Sequence, residues 1–250
     1  MKALHITCAL LLSLVALGHP AFSQAPSPAM VLSASTAAAH KEYTEAFKTN
    51  SQLFSGPEYV DYALHYHVRE GHQYFLTPEN KPGSAHYNNF FFNDLQLKYD
   101  VVLDQVVLHQ PGSPLMLRLI DEHMASFVLG GHHFARLVAD SASTSVIRTG
   151  YYEVLLDSTV QVLARRTKRL QEHIVQPNIN VEFTQTDNLF IRKAGQYYAV
   201  ASKSSVTRLF ADRSQELQQF IQARGLKFRK ASREADIVQL MAYYCSLPPR

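Results

Sequence analysis

Cysteine is nearly absent from this chain of 250 residues, which holds only Cys8 and Cys245. Cys8 falls inside an N-terminal leader, so the rest of the chain carries one thiol and no internal disulfide. The fold must therefore stand on a hydrophobic core, and a chain of this length can bury roughly 70% of its unfolded surface. A surplus of one charge sign is also missing: 24 Lys and Arg face 21 Asp and Glu, a formal charge of +3. That is too small to imply nucleic acid as a partner. A hydrophobic share of 46% excludes a disordered chain. Long apolar runs are lacking except near the N-terminus, where residues 9–17 are too few to cross a bilayer. The chain is thus not expected to span a membrane. Short catalytic signatures are missing too. There is no Gly-x-Ser-x-Gly elbow, Gly-rich phosphate loop, His-Glu-x-x-His or dinucleotide fingerprint, so the sequence names no catalytic residue and no cofactor.

What is present begins with a leader. Lys2, the apolar stretch 9–17 and Ala21-Phe22-Ser23 give a positive start, a short core and a small-x-small cleavage pattern. Residues 1–23 read as a secretory signal peptide. Residues 24–40, rich in Ala, Ser and Pro, read as a flexible tether, and residues 41–250 as a single β-rich domain.

Within that domain, residues 42–54 suit a short helix, and residues 59–69 then alternate apolar and polar positions, the pattern of a strand. Further strand-like runs lie at 73–76, 85–92, 95–99, 105–108, 115–119, 124–129, 132–138, 151–156, 160–165, 189–191 and 197–201. Gly130-Gly131, Asp157-Ser158 and Lys193-Ala194-Gly195 supply turns between neighbouring runs, and a Gly-Gly pair is a hairpin signal because primed turns need positive φ. Sequential hairpins predict an antiparallel meander of about ten strands. Two helices are expected to close the chain. The first, about 206–224, has Asp212 and Gln215 in a capping-box spacing and is stopped by Gly225. The second, 233–246, has Ser232 as cap and places Ile237, Leu240, Met241 and Tyr244 on one stripe. Each stripe needs a partner, and the sheet is the large one on offer. The expected fold class is α+β, mainly β, with both helices packed on the sheet. A membrane barrel is disfavoured by runs half the required length and by a helical C-terminus.

Several constellations invite a chemical reading. His65 and His67, two apart on the strand read at 59–69, would point the same way, and are the weak candidates for a metal. Zinc needs three or four converging ligands, and the sequence offers two. His132 and His133 are adjacent, so on a strand they face opposite sides. Asp121-Glu122-His123 on extended chain do not converge. Arg165, Arg166, Lys168 and Arg169, with Arg192, Lys193 and the cluster 227–233, form a weak candidate anion-binding face for an envelope polymer. A solvated face explains the same charges. Cys245, among Met241, Tyr243, Tyr244 and Leu247, reads as an inert core thiol.

The stretch 87–100 (YNNFFFNDLQLKYD), then Gly150-Tyr151-Tyr152-Glu153-Val154-Leu155, and Leu209-Phe210-Ala211-Asp212 with Tyr243-Tyr244 resemble a group of exported, β-rich proteins of unassigned function from Bacteroidota. The resemblance spans about 59–244. It implies a periplasmic or secreted location and carries no activity or site residues. The function expected is that of an exported, non-catalytic binding protein taking an apolar ligand, an anionic envelope polymer or a protein partner. The alternative is a secreted hydrolase, with or without a metal, whose acid and base come from separate strands.

Overall fold

The computed structural model describes residues 52–140, 146–175 and 178–248. The expected leader, the tether and most of the helix read at 42–54 lie outside the described residues. The strands, in chain order, are β1 (Val68–Glu70), β2 (Lys81–Tyr87), β3 (Phe90–Asp100), β4 (Gln105–His109), β5 (Met116–Arg118), β6 (Met124–Leu129) and β7 (His132–Leu137). They continue with β8 (Gly150–Asp157), β9 (Val160–Arg165), β10 (Lys168–Val175), β11 (Asn178–Gln185), β12 (Asn188–Lys193) and β13 (Gln196–Val200). Three helices close the chain: α1 (Lys203–Leu209), α2 (Ser214–Arg224) and α3 (Arg233–Ser246). No helix among the described residues is long and apolar enough to cross a membrane.

Ten strands form one antiparallel sheet in the order β13-β12-β9-β8-β7-β6-β2-β3-β4-β5. The expected mainly-β fold with C-terminal helices on a sheet of ten strands is what the chain adopts. The meander has one departure, because β6 returns to pair with β2 instead of β5. Gly130 and Gly131 make the β6–β7 turn, both with positive φ, as the Gly-Gly pair implied.

The sheet is strongly curled. Tyr99 of β3 and Tyr151 of β8 stand three intervening strands apart, about 19 Å in a flat sheet. Their rings meet edge-on with centroids 5.9 Å apart. Between them, Phe127 of β6 and Phe134 of β7 stack at 4.7 Å, and Tyr99 touches both. These four rings are almost fully buried, and each contributes about 1.5–3 kcal/mol of transfer free energy. Gly150 begins β8 with φ +150°, and a Cβ there would lie 2.0 Å from Asp104 Oδ2, so a larger residue would strain the backbone and push that side chain of the β3–β4 turn aside.

The remaining strands of the same face are covered by helices. Val160, Val162 and Ala164 of β9, Leu189 and Ile191 of β12, and Val200 of β13 pack against Val206, Phe210, Leu217, Ile237, Leu240 and Met241. The α3 stripe read from the sequence is therefore buried on the sheet.

Several expectations need correction. Residues 59–69 are not one strand: Tyr62–His65 is a 3-10 turn, and strand pairing is confined to Val68–Glu70. Val60, Leu64 and Val68 are exposed despite the alternation, because Asp61 caps the turn by accepting from the Ala63 N–H and breaks the period. The expected run 73–76 contributes a single bridge, Tyr74 to Asp100.

The helix expected at about 206–224 is two helices, interrupted at Phe210, whose ring is buried against Tyr244. The capping box belongs to Ser202 and Ser205. Asp212 instead takes Lys193 Nζ and the Tyr244 hydroxyl. Ser232 precedes α3 without capping it, since its hydroxyl donates to Asp236 Oδ2.

Finally, β10 and β11 form a hairpin in a stretch where no strands are expected from the sequence. It pairs with β1, parallel to β11, in a separate three-stranded sheet.

Candidate functional site

Strand alternation places three ionisable side chains on the inner, core-facing phase of the sheet. His132 is in phase with buried Phe134 on β7, and Glu153 with buried Tyr151 on β8. Arg166, one residue past β9, continues the row of Val162 and Ala164. Asp187, two residues before Leu189 of β12, joins them, and Glu234 arrives from the first turn of α3. The five meet where the aromatic cluster gives way to the aliphatic, helix-covered one.

Arg166 is the hub. Its Nε donates to Glu153 Oε2 at 2.6 Å, its Nη1 to Asp187 Oδ2 at 2.8 Å and to Glu234 Oε2 at 2.7 Å, and its Nη2 to Glu234 Oε1 at 2.9 Å. Glu153 is nearly sealed from solvent, with its side chain 5% exposed, and Arg166 is 10% exposed. Burial works against the guanidinium's charge, but the carboxylates of Glu234 and Glu153 outweigh it and raise its pKa. The second oxygen of Glu153 meets His132 Nδ1 at 2.5 Å, and the His132 ring packs edge-on against Phe75. One guanidinium thus holds three carboxylates, so these four groups carry a formal surplus of negative charge, and the ammonium of Lys168 is close enough to Asp187 to offset part of it.

Two hollows flank the hub and share Gln185 and Asp187 in their walls. The larger is an open cleft of about 480 Å³ between β12–β13 and the start of α3, lined among others by Leu189, Phe190, Ala199, Lys230, Arg233 and Glu234. The smaller, about 210 Å³, lies beside Phe75, Val101, Arg166 and Lys168. Lys168 is occupied there, with Nζ donating to the carbonyls of His72 at 2.8 Å and Tyr74 at 2.6 Å. Burial lowers its pKa, and burial followed by the charge of Lys168 lowers that of His72.

Two residues that line the larger cleft each hold a polar atom sealed from solvent without a hydrogen-bond partner among the described residues. These are Asp187 Oδ1 and Arg233 Nε. Such atoms are uncommon in folded proteins and call for an explanation.

The basic residues singled out in the sequence do not form one face. Arg166 is turned inward onto carboxylates, Arg165 reaches Asp104 at 3.3 Å over the ring of Tyr152, and Lys168 caps carbonyls. Arg169 alone of the four stands exposed, on β10. Arg192 donates to Gln161, and Lys193 donates to the Leu209 carbonyl. His65 and His67 are exposed and lie in and just after a 3-10 turn, so the shared strand face that paired them is missing. Among the described residues no three His, Cys, Asp or Glu side chains are placed to hold a metal ion. His132 and His133 do part, inward and outward. Asp121, in a 3-10 turn with Glu122 and His123, accepts from the Tyr151 hydroxyl at 2.7 Å. Cys245 is half-buried, not sealed in the core, and its sulfur accepts from Thr159 Oγ1 at 3.3 Å.

His132, Glu153, Asp187 and Glu234 do not stand out in the sequence as a site. They are far apart along the chain, and their one local signal is a charge on the core phase of a strand, seen at His132 and Glu153. Compared with protein-family models, curated proteins and solved structures, the chain matches none.

Proposed function

We propose that this chain is an exported, non-catalytic binding protein that holds a small ligand in the cleft between β12–β13 and α3. The observation that carries this reading is the cleft itself. Its volume of about 480 Å³ falls in the range of small-molecule sites, and its wall combines apolar Leu189 and Phe190 with a few convergent charges. The carboxylates beside it are tied to Arg166 by hydrogen bonds, an arrangement suited to fixing a wall and not to moving protons. A small ligand is favoured over an anionic polymer because three of the four cations at 165–169 serve internal acceptors. Export rests on the leader read at residues 1–23.

The test is native mass spectrometry of protein purified from its source cells without denaturation. The proposal expects a mass above that of the bare chain which disappears on denaturation. Native protein at the bare mass, with no gain in melting temperature across a broad metabolite panel, would overturn it.

A further inference from the structure

The two sheets present four strand edges among the described residues, and three of them are guarded. At one end of the ten-stranded sheet, β5 is covered by the chain that precedes it in space. The Tyr59 N–H donates to the Met116 carbonyl at 2.7 Å, and the Arg118 N–H to the Pro57 carbonyl at 2.9 Å. In the smaller sheet, β10 carries Lys168, Arg169, Glu172 and His173, and β1 is three residues long and holds Arg69 and Glu70. Charge and shortness are common ways of blunting an edge. The fourth edge, β13, has no charge and no proline, and its sequence Gln-Tyr-Tyr-Ala-Val pairs with β12 without a bulge.

The outward groups of β13 follow from its turn. Ala194 and Gly195 both have positive φ, so Lys193 and Gln196 close a two-residue hairpin as a hydrogen-bonded pair. Pairs alternate from there: Gln196, Tyr198 and Val200 bond to β12, and the N–H and C=O of Tyr197 and Ala199 point away from it. Ala201 is next in that phase, and its N–H donates to Ser205 Oγ at 3.2 Å in the first turn of α1. The backbone groups of Tyr197 and Ala199 have no such partner among the described residues, and Ala199 is exposed.

We propose that two copies of this chain pair antiparallel along β13, about a two-fold axis through Tyr198. The axis stands perpendicular to the sheet, so paired residues share a face. Tyr197 then faces the partner's Ala199 as a hydrogen-bonded pair, and symmetry repeats the pair on the other side. A large side chain lies opposite a small one in both, and Tyr198 meets the partner's Tyr198 as a close aromatic pair. Centring the axis on Ala199 would pair Tyr197 with Ala201, whose N–H is taken. Centring it on Tyr197 would pair Ala199 with Gly195 of the turn. The register through Tyr198 therefore engages every free group of the edge. An unrelated extended peptide could add to the same edge, and this self-complementary register is what favours a second copy. With β5 covered at the far side of the sheet, association closes at two copies.

Sedimentation velocity from about 1 µM to 1 mM should show monomer passing into dimer, since a small interface binds weakly. Ala199→Pro removes an outward N–H from both pairs without removing a bond to β12, and should weaken dimerisation about tenfold or more. In a Cys245→Ser background, Tyr198→Cys should form an intermolecular disulfide on oxidation, because residues opposite in a non-hydrogen-bonded pair have Cα atoms about 4.5 Å apart. Ala199→Cys should not, since its two copies would stand more than about 7 Å apart. If Ala199→Pro fails to fold, the two cysteine variants decide. Monomer at every concentration overturns the proposal. So does undiminished dimerisation of a folded Ala199→Pro, or cross-linking through Ala199→Cys and not Tyr198→Cys. A peptide carried by monomer in native spectra and lost in Ala199→Pro would give the edge to a different partner and also overturn it.

Discussion

One face of the sheet builds two unlike halves. Across β3, β6, β7 and β8 it closes on itself around aromatic rings, with Tyr99, Phe127, Phe134 and Tyr151 in mutual contact. Across β9, β12 and β13 it presents aliphatic side chains and is closed by three helices. Large rings on a curled sheet fill their own enclosure. Val, Ala and Leu do not, so a second layer is needed, and where that layer meets the sheet edge a cleft is left. The charges stand at this seam. Glu153 continues the aromatic row, Arg166 and Asp187 end the aliphatic rows, and Glu234 comes from the helices.

The contrast breaks most readily in the aromatic half. Phe134→Ala removes a fully buried ring from the centre of the cluster and should cost about 4 kcal/mol, read as the loss of unfolding free energy in urea. A loss under about 1 kcal/mol would mean that the rings do not hold the curl.

Arg166→Met comes next. It leaves three carboxylates facing one another without their shared cation, which ordinarily costs about 3–5 kcal/mol. The lower end is expected, because Glu234 is 39% exposed and can rehydrate. If Glu153→Gln is added, the double variant should recover part of the loss. Additive losses would show that the seam is not a coupled network.

Acid sharpens the contrast with smaller effects of opposite sign. Behind the aromatic half, on the face of β3 opposite Tyr99, burial raises the carboxyl of Asp100 above 3.8 despite the hydroxyls of Tyr59 and Tyr62 and two backbone N–H groups that donate to it. Burial likewise raises Asp121. The folded chain then binds more protons than the unfolded chain above pH 3.8, so these two groups contribute stability that falls as pH rises through that window. In the helix-covered half, burial opposes ionisation of Asp212, but the charge of Lys193 outweighs it and lowers the pKa. That contribution is present above 3.8 and is lost as pH falls below it. It is also small, because Asp212 is half-exposed. Urea midpoints at a series of acid pH values should fall less steeply with rising pH in Asp100→Asn than in the parent. Asp212→Asn should lose a slight downturn below pH 3.8. Identical slopes in all three proteins would remove the contrast.

Much of the fold was legible because its signals are local. Hairpins at Gly130-Gly131 and Ala194-Gly195 arise from positive φ, and the α3 stripe from helical spacing. The β10–β11 hairpin carries the same kind of signal, since Ile179, Val181 and Phe183 alternate with Asn180, Glu182 and Thr184. The basic run 165–169 beside it obscures that pattern, because it has the composition of a charged loop. Conversely, residues 59–69 alternate without forming a strand, because an Asp cap and a 3-10 turn outweigh period-two patterning there. The candidate site was far less legible. Its members lie on β7, β8, the ends of β9 and β12, and α3, and only the curl and the helix layer bring them together.

Filling the cleft tests most directly whether the seam holds a ligand. Lys230 is exposed and lines it just ahead of α3. Lys230→Trp should therefore fold with unchanged stability and lose the ligand mass that native spectra of the parent carry. A variant that retains that mass in full would place the ligand elsewhere and contradict the cleft at the seam.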